Sequence, residues 1–210
     1  MTKHLLSGHA RFRTEYFADE ANFLRQLARD GQSPSALYIG CADSRVIPEL
    51  LTSSAPGELF VVRNVANVVP SLEHADASVG AAIEYAVEAL KVPHLIVCGH
   101  DGCGGVRAAL DGIDAYTHLP SLHEWLRCVV PAATDARRLS PHEPELFRTA
   151  VEENVLHSMD NLISYPCVAR GLANKSLSLH GWVFDLAEGQ LRVFDVTSEE
   201  FVAADHLRAG

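Results

Sequence analysis

Ala36-Leu37-Tyr38-Ile39-Gly40-Cys41-Ala42-Asp43-Ser44-Arg45 opens as a short apolar run and empties into a polar loop, the pattern of a strand buried on both faces. The same form returns twice. Leu59-Phe60-Val61-Val62 runs into Arg63-Asn64, and His94-Leu95-Ile96-Val97-Cys98-Gly99 runs into His100. Between and beyond these runs the apolar residues fall at helical spacing, over residues 78–90, 105–111, 121–139 and 145–164. Strands alternating with helices predict an α/β fold with a central, mostly parallel β-sheet flanked by helices. Upstream, Phe12, Tyr16, Phe23, Leu24 and Leu27 are spaced as on a helix that stops at Asp30-Gly31, which predicts an N-terminal helical arm. Downstream, residues 176–186 and 190–196 alternate around Glu188-Gly189 and predict a C-terminal β-hairpin at the sheet edge.

Composition bounds what such a chain can be. With 210 residues, 48% hydrophobic and 21% charged, it has the balance of one globular domain, read as an arm over 1–30 and an α/β core over 31–210. Its 17 Lys and Arg against 27 Asp and Glu leave a net charge of −10, which opposes a general nucleic-acid-binding role. No apolar run reaches the roughly 18 residues of a membrane span, and the first 13 residues lack the apolar core of a secretory signal, so a cytoplasmic protein is expected. Five cysteines are too few and odd in number for a disulfide scaffold. The helix pattern over 78–90 carries charge only at Glu84 and Glu88, so it is either covered on both sides or part of a subunit interface, and an oligomer is expected.

In open parallel sheets ligands collect at the carboxyl ends of strands. The residues there are Cys41, Asp43, Arg45, His100 and Cys103. A lone cysteine at a strand end is most often a small core residue, and His-x-x-Cys recurs by chance. Two thiolates and an imidazole together form a soft, nitrogen-containing donor set that suits zinc with its fourth position open.

Taken whole, Cys41-Ala42-Asp43-Ser44-Arg45 with His100-x-x-Cys103-Gly104-Gly105 resembles the zinc-binding signature of the β-class carbonic anhydrases. The likeness continues through Gln32-x-Pro34, residues 56–67, Glu84-Tyr85-Ala86-Val87, Glu153-Asn154-Val155 and residues 180–185. It implies Zn²⁺ on Cys41, His100 and Cys103, and an Asp43–Arg45 dyad that orients a zinc-bound hydroxide for reversible hydration of carbon dioxide to bicarbonate and a proton. It also implies a substrate pocket with Gln32 as a polar tip, Phe60, Val65 and Tyr85 as walls and the Gly104 N–H as a donor. In the family that pocket lies at a subunit interface, implying a homodimer or a dimer of dimers. Asp101 stands where many relatives carry tyrosine or another less charged residue, and is expected to face solvent. Three other readings share these residues: a hydrolase of carbonyl sulfide or carbon disulfide on the same scaffold, an anion-binding glycine loop over residues 99–105, and a structural zinc or redox switch joining Cys41 to Cys103.

Overall fold

The structure, a computed structural model, describes residues 2–74 and 76–207. Three helical segments come first: α1 (Lys3–Thr14), α2 (Tyr16–Asp19) and α3 (Ala21–Asp30). Gly31 ends α3 at φ +83°, a conformation only glycine adopts freely, with its N–H on Leu27 O. The chain continues through β1 (Ala36–Cys41), α4 (Pro48–Thr52), β2 (Leu59–Asn64), α5 (Ala77–Glu84) and β3 (His94–His100). Then follow α6 (Gly104–Asp111), α7 (Pro120–Leu126), α8 (Val130–Leu139), α9 (Glu145–Ile163) and α10 (Pro166–Ala173). The last elements are β4 (Ser178–Phe184), β5 (Leu191–Asp195), β6 (Glu200–Ala203) and α11 (Ala204–Leu207).

The six strands lie in the order β2-β1-β3-β4-β5-β6; the first four are mutually parallel, and β5 and β6 are antiparallel additions. The chain moves from β1 to β2 on one side, then returns to place β3 on the other side of β1. That reversal makes a crevice at the carboxyl ends of β1 and β3, where Cys41 and His100 stand. Alternate residues of the central strands enter two cores: Leu37, Ile39, Leu95 and Val97 pack with the helices on one face, while Tyr38, Ile96 and Cys98 fill the other. On the first face α9 comes close because Gly99 carries no side chain; a Cβ there would lie 2.8 Å from Val155 Cγ2.

Several local expectations change. The helix expected over 121–139 is broken between α7 and α8, because Pro131 in the first turn of α8 has no N–H to give a preceding turn and its ring excludes the carbonyl four residues back. The β4–β5 hairpin forms around Gly189 at φ +68°, and the four-residue β6, too short to leave a pattern, extends the sheet beyond it. Cys167 is buried in the first turn of α10, and burial raises its thiol pKa. The segment expected as one helix over 78–90 is α5 plus a π-helical turn over Tyr85–Ala89, capped by Asp76, whose Oδ1 accepts from the N–H groups of Ser78 and Val79. Its Val79, Gly80, Ile83 and Ala86 are buried, while Tyr85 stays 49% exposed. Among the described residues, no helix is long and apolar enough to cross a membrane.

Candidate metal centre and active site

Three elements deliver three donors to one point. Cys41 ends β1, His100 ends β3, and Cys103 precedes the first turn of α6, where the N–H groups of Gly105 and Val106 approach its sulfur. The donor atoms of Cys41, His100 and Cys103 all lie within 4.8 Å of one another. The two sulfurs are 3.9 Å apart, unbonded, and near the roughly 3.8 Å expected for two sulfurs on one tetrahedral zinc with bonds of about 2.3 Å. His100 is 1% exposed, and its Nε2 has no hydrogen-bond partner. Its Nδ1 lies 2.9 Å from the Asp101 carbonyl, which can only accept; the proton therefore sits on Nδ1 and Nε2 presents a bare lone pair. The residues present fit a soft divalent metal: an orphaned imidazole nitrogen faces two thiols with room for an ion between.

The three donors are also electrostatically coupled. The Cys41 thiol is driven well below its ordinary value, first by its contact with Cys103 and then by His100 and the Asp43 N–H, against an opposing effect of burial. Cys103 is driven up by that same contact and by burial, so the two thiols titrate as a coupled pair. Burial pulls His100 down, but Cys41, the Asp101 carbonyl and Asp43 together leave the imidazole raised.

Asp43 and Arg45 form a two-pronged pair: Arg45 Nε donates to Oδ1 at 2.9 Å and Nη2 to Oδ2 at 2.7 Å, with the Arg45 backbone N–H on Oδ1 at 3.0 Å. These bonds hold the Asp43 carboxyl well below the usual carboxylate range. Its Oδ2 also lies 3.8 Å from His100 Nε2, so one carboxylate oxygen stands beside the imidazole donor.

Sequence reasoning missed the supports. Arg63 Nε donates to Cys41 O at 2.9 Å and its Nη2 to Asp43 O at 2.6 Å, fastening the loop from β2. Residues 65–67 wedge against α6, with Ala66 and Asn67 at φ +64° and +48°. Asn154 of α9 donates to Ala66 O at 2.8 Å and Trp125 of α7 donates to Val65 O at 2.8 Å. A Cβ on Gly105 would lie 2.8 Å from that of Ala66, so a glycine there lets α6 close on this wedge. Of these, residues 56–67, Gly105 and the Glu153-Asn154-Val155 block left a trace in the sequence, without indicating what Arg63 or Asn154 holds, and Trp125 left none.

The expected pocket residues divide. Val65 lies against Gly105 beside Cys103, and Gly104 opens α6. Phe60 and Tyr85 pair with each other, ring centres 5.8 Å apart, and Gln32 is exposed between α3 and β1. Among the described residues no hydrogen bond or ring contact joins Gln32, Phe60 or Tyr85 to the three donors within this one chain. Asp101, expected to face solvent, turns instead to Arg192 of β5, with Nη2 to Oδ1 at 3.4 Å. A second group, Asp135, Glu153 and His157, closes on itself: the two Asp135 oxygens are taken by His157 at 2.9 Å and by Arg138 at 3.1 Å.

A switch-point α/β fold brings Cys, His and Cys together beside an arginine-held carboxylate, a donor set that could hold a metal ion. The model of the carbonic anhydrase family matches residues 36–191. A carbonic anhydrase of Pseudomonas aeruginosa is 39% identical over 207 residues, covering 97% of this chain and 93% of its own. The solved β-carbonic anhydrase CcaA superposes with a TM-score of 0.91 at 38% identity, covering 96% of this chain and 98% of its own. A structure described among two tetrameric β-carbonic anhydrases of Sordaria macrospora superposes at 0.79 with 31% identity, covering 91% and 95%. The chain belongs to the β-class carbonic anhydrases, a family of enzymes.

Proposed function

We propose that the chain catalyses the zinc-dependent, reversible hydration of carbon dioxide to bicarbonate and a proton, with Cys41, His100 and Cys103 as the metal ligands. The observation that carries this reading is the buried, unpartnered His100 Nε2 converging with two unbonded sulfurs 3.9 Å apart. A zinc ion held there supplies Lewis acidity and makes hydroxide available from water near neutral pH.

The chain's own groups do the rest. Asp43 Oδ2 faces the centre and accepts a hydrogen bond from the nucleophile's hydroxyl, turning its free lone pair toward the electrophilic carbon. Arg45 keeps that carboxylate ionised and fixed, so Asp43 orients a proton without storing it and the released proton passes on to buffer. The Gly104 N–H is a donor to substrate oxygen, Val65 forms one apolar wall, and Phe60 and Tyr85 form another with Gln32 as a polar tip. Gln32, Phe60 and Tyr85 serve from a neighbouring copy, which makes the site part of a homodimer or dimer of dimers. The remaining parts of the reading are one domain over 1–210, a cytoplasmic location, and neither nucleic acid nor membrane as partner.

Removing the metal tests this directly. Chelator-stripped protein is expected to lose carbon dioxide hydration and regain it with one zinc per chain. Full activity in a stripped sample free of zinc would overturn the assignment.

A further inference from the structure

Asp101 is tied down on every side. Its N–H donates to Phe184 O of β4 at 2.9 Å, extending the β3–β4 ladder by one bond. Its carboxylate meets Arg192, 13% exposed on β5, and Arg192 is also paired with Glu152 of α9, itself bonded to Arg148 at 3.1 Å. Its carbonyl is the group that takes the Nδ1 proton of His100. The next residue, Gly102, turns at φ +71°, and its carbonyl accepts from Arg45 at 3.3 Å. The Asp101–Gly102 peptide is therefore flanked by two anchors, Arg192 on the Asp101 carboxylate and Arg45 on the carbonyl of the next peptide. Whatever sets the tilt of that peptide sets the direction of the His100 ring, because its carbonyl decides which nitrogen carries the proton and where the other one points.

We propose that Arg192, acting through Asp101, is a positioning residue for His100: it anchors the peptide whose carbonyl fixes the imidazole's tautomer and aims Nε2 at Cys41 and Cys103. The inference rests on the zinc reading above. It gives β5, a strand otherwise remote from the chemistry, a part in holding the metal. Arg192 and Arg148 balance the charges of Asp101 and Glu152. Removing Arg192 leaves Asp101 facing Glu152 and Asp185 without its cation, and the peptide loses its outer anchor.

Zinc retention gives a readout separate from turnover. In zinc-loaded protein, Arg192→Met is expected to speed chelator-driven zinc loss about tenfold or more, the scale on which outer-shell partners of metal-bound histidines act. The His100 Nδ1–H, followed by ¹⁵N imidazole NMR, should exchange with solvent faster, and Arg192→Lys should recover part of both effects. Arg148→Met breaks the same ion cluster on the far side of Glu152; it should lower the melting temperature while zinc loss stays at the native rate. Arg192→Met that folds, loses zinc at the native rate and keeps its Nδ1–H protected would overturn the proposal. Should that variant fail to fold, Asp101→Ala, at a half-exposed loop position, carries the same comparison with the same two outcomes. Native protein that takes up no zinc would instead overturn the zinc reading, and this inference with it.

Discussion

At Asp43 the geometry separates two roles that a carboxylate beside a metal could play. A general base must hold a proton for part of the cycle, yet the two-pronged Arg45 contact disfavours a protonated Asp43. Asp43→Asn keeps the shape and loses the charge that makes an acceptor of both oxygens. Stopped-flow hydration should fall roughly a hundredfold, on the scale of a lost positioned proton partner, with zinc content unchanged. Cys41→Ser should act the other way round, emptying the site of zinc, as metal analysis of the purified variant would reveal. These residues were legible because each lies in a short string at a strand end, and strand ends are where a parallel sheet gathers its chemistry. Arg63, Trp125 and Asp101 were not legible as supports. Their partners are backbone carbonyls or, for Asp101, an arginine 91 positions on, and no local spacing encodes such a contact.

Elements add constraints that the side chains at the site do not reveal. The packing of α9 on β3 depends on Gly99, one residue before His100. Gly99→Ala must push Val155 and Val151 away, at a cost of about 1–3 kcal/mol for overpacking. For a chain of this length that predicts a fall in melting temperature of roughly 3–10 °C by calorimetry. On the opposite face, His180 of β4 lies 3.2 Å from His94 of β3, and burial, with His94 adding to it, holds His180 below its ordinary 6.5. As pH falls through the ordinary value the unfolded chain takes up a proton that folded His180 refuses, so stability contributed at higher pH is lost in the window below about 6.5. His180→Gln should therefore narrow the difference in melting temperature between about pH 8 and about pH 5.5. The sheet was readable because buried strands are continuous apolar runs. The α7–α8 break, α10 and β6 were not, because short elements carry too few residues to display a period.

For the whole molecule the arm raises the question of assembly. None of the residues of α1, α2 or α3 is buried, and Leu5, Leu6, Phe12, Tyr16 and Phe23 stand exposed along them. An apolar arm without cover joins the half-exposed Tyr85 as support for the proposed oligomer. Sedimentation should give a mass that is a multiple of 22.8 kDa, and Leu5→Glu with Leu6→Glu should shift it toward smaller species. Composition hinted at this only through the apolar circumference of the 78–90 segment; what the arm covers depends on a second chain, which a single sequence does not spell out. The central claim, hydration of carbon dioxide at a Cys-His-Cys zinc centre served by Asp43, is tested most directly by stopped-flow carbon dioxide hydration. The assay follows proton release on zinc-replete protein from about pH 7 to about pH 9, the range in which zinc makes hydroxide available. The account predicts rapid turnover that rises with pH and collapses in Asp43→Asn. Protein with zinc bound that stays silent across that range would contradict it.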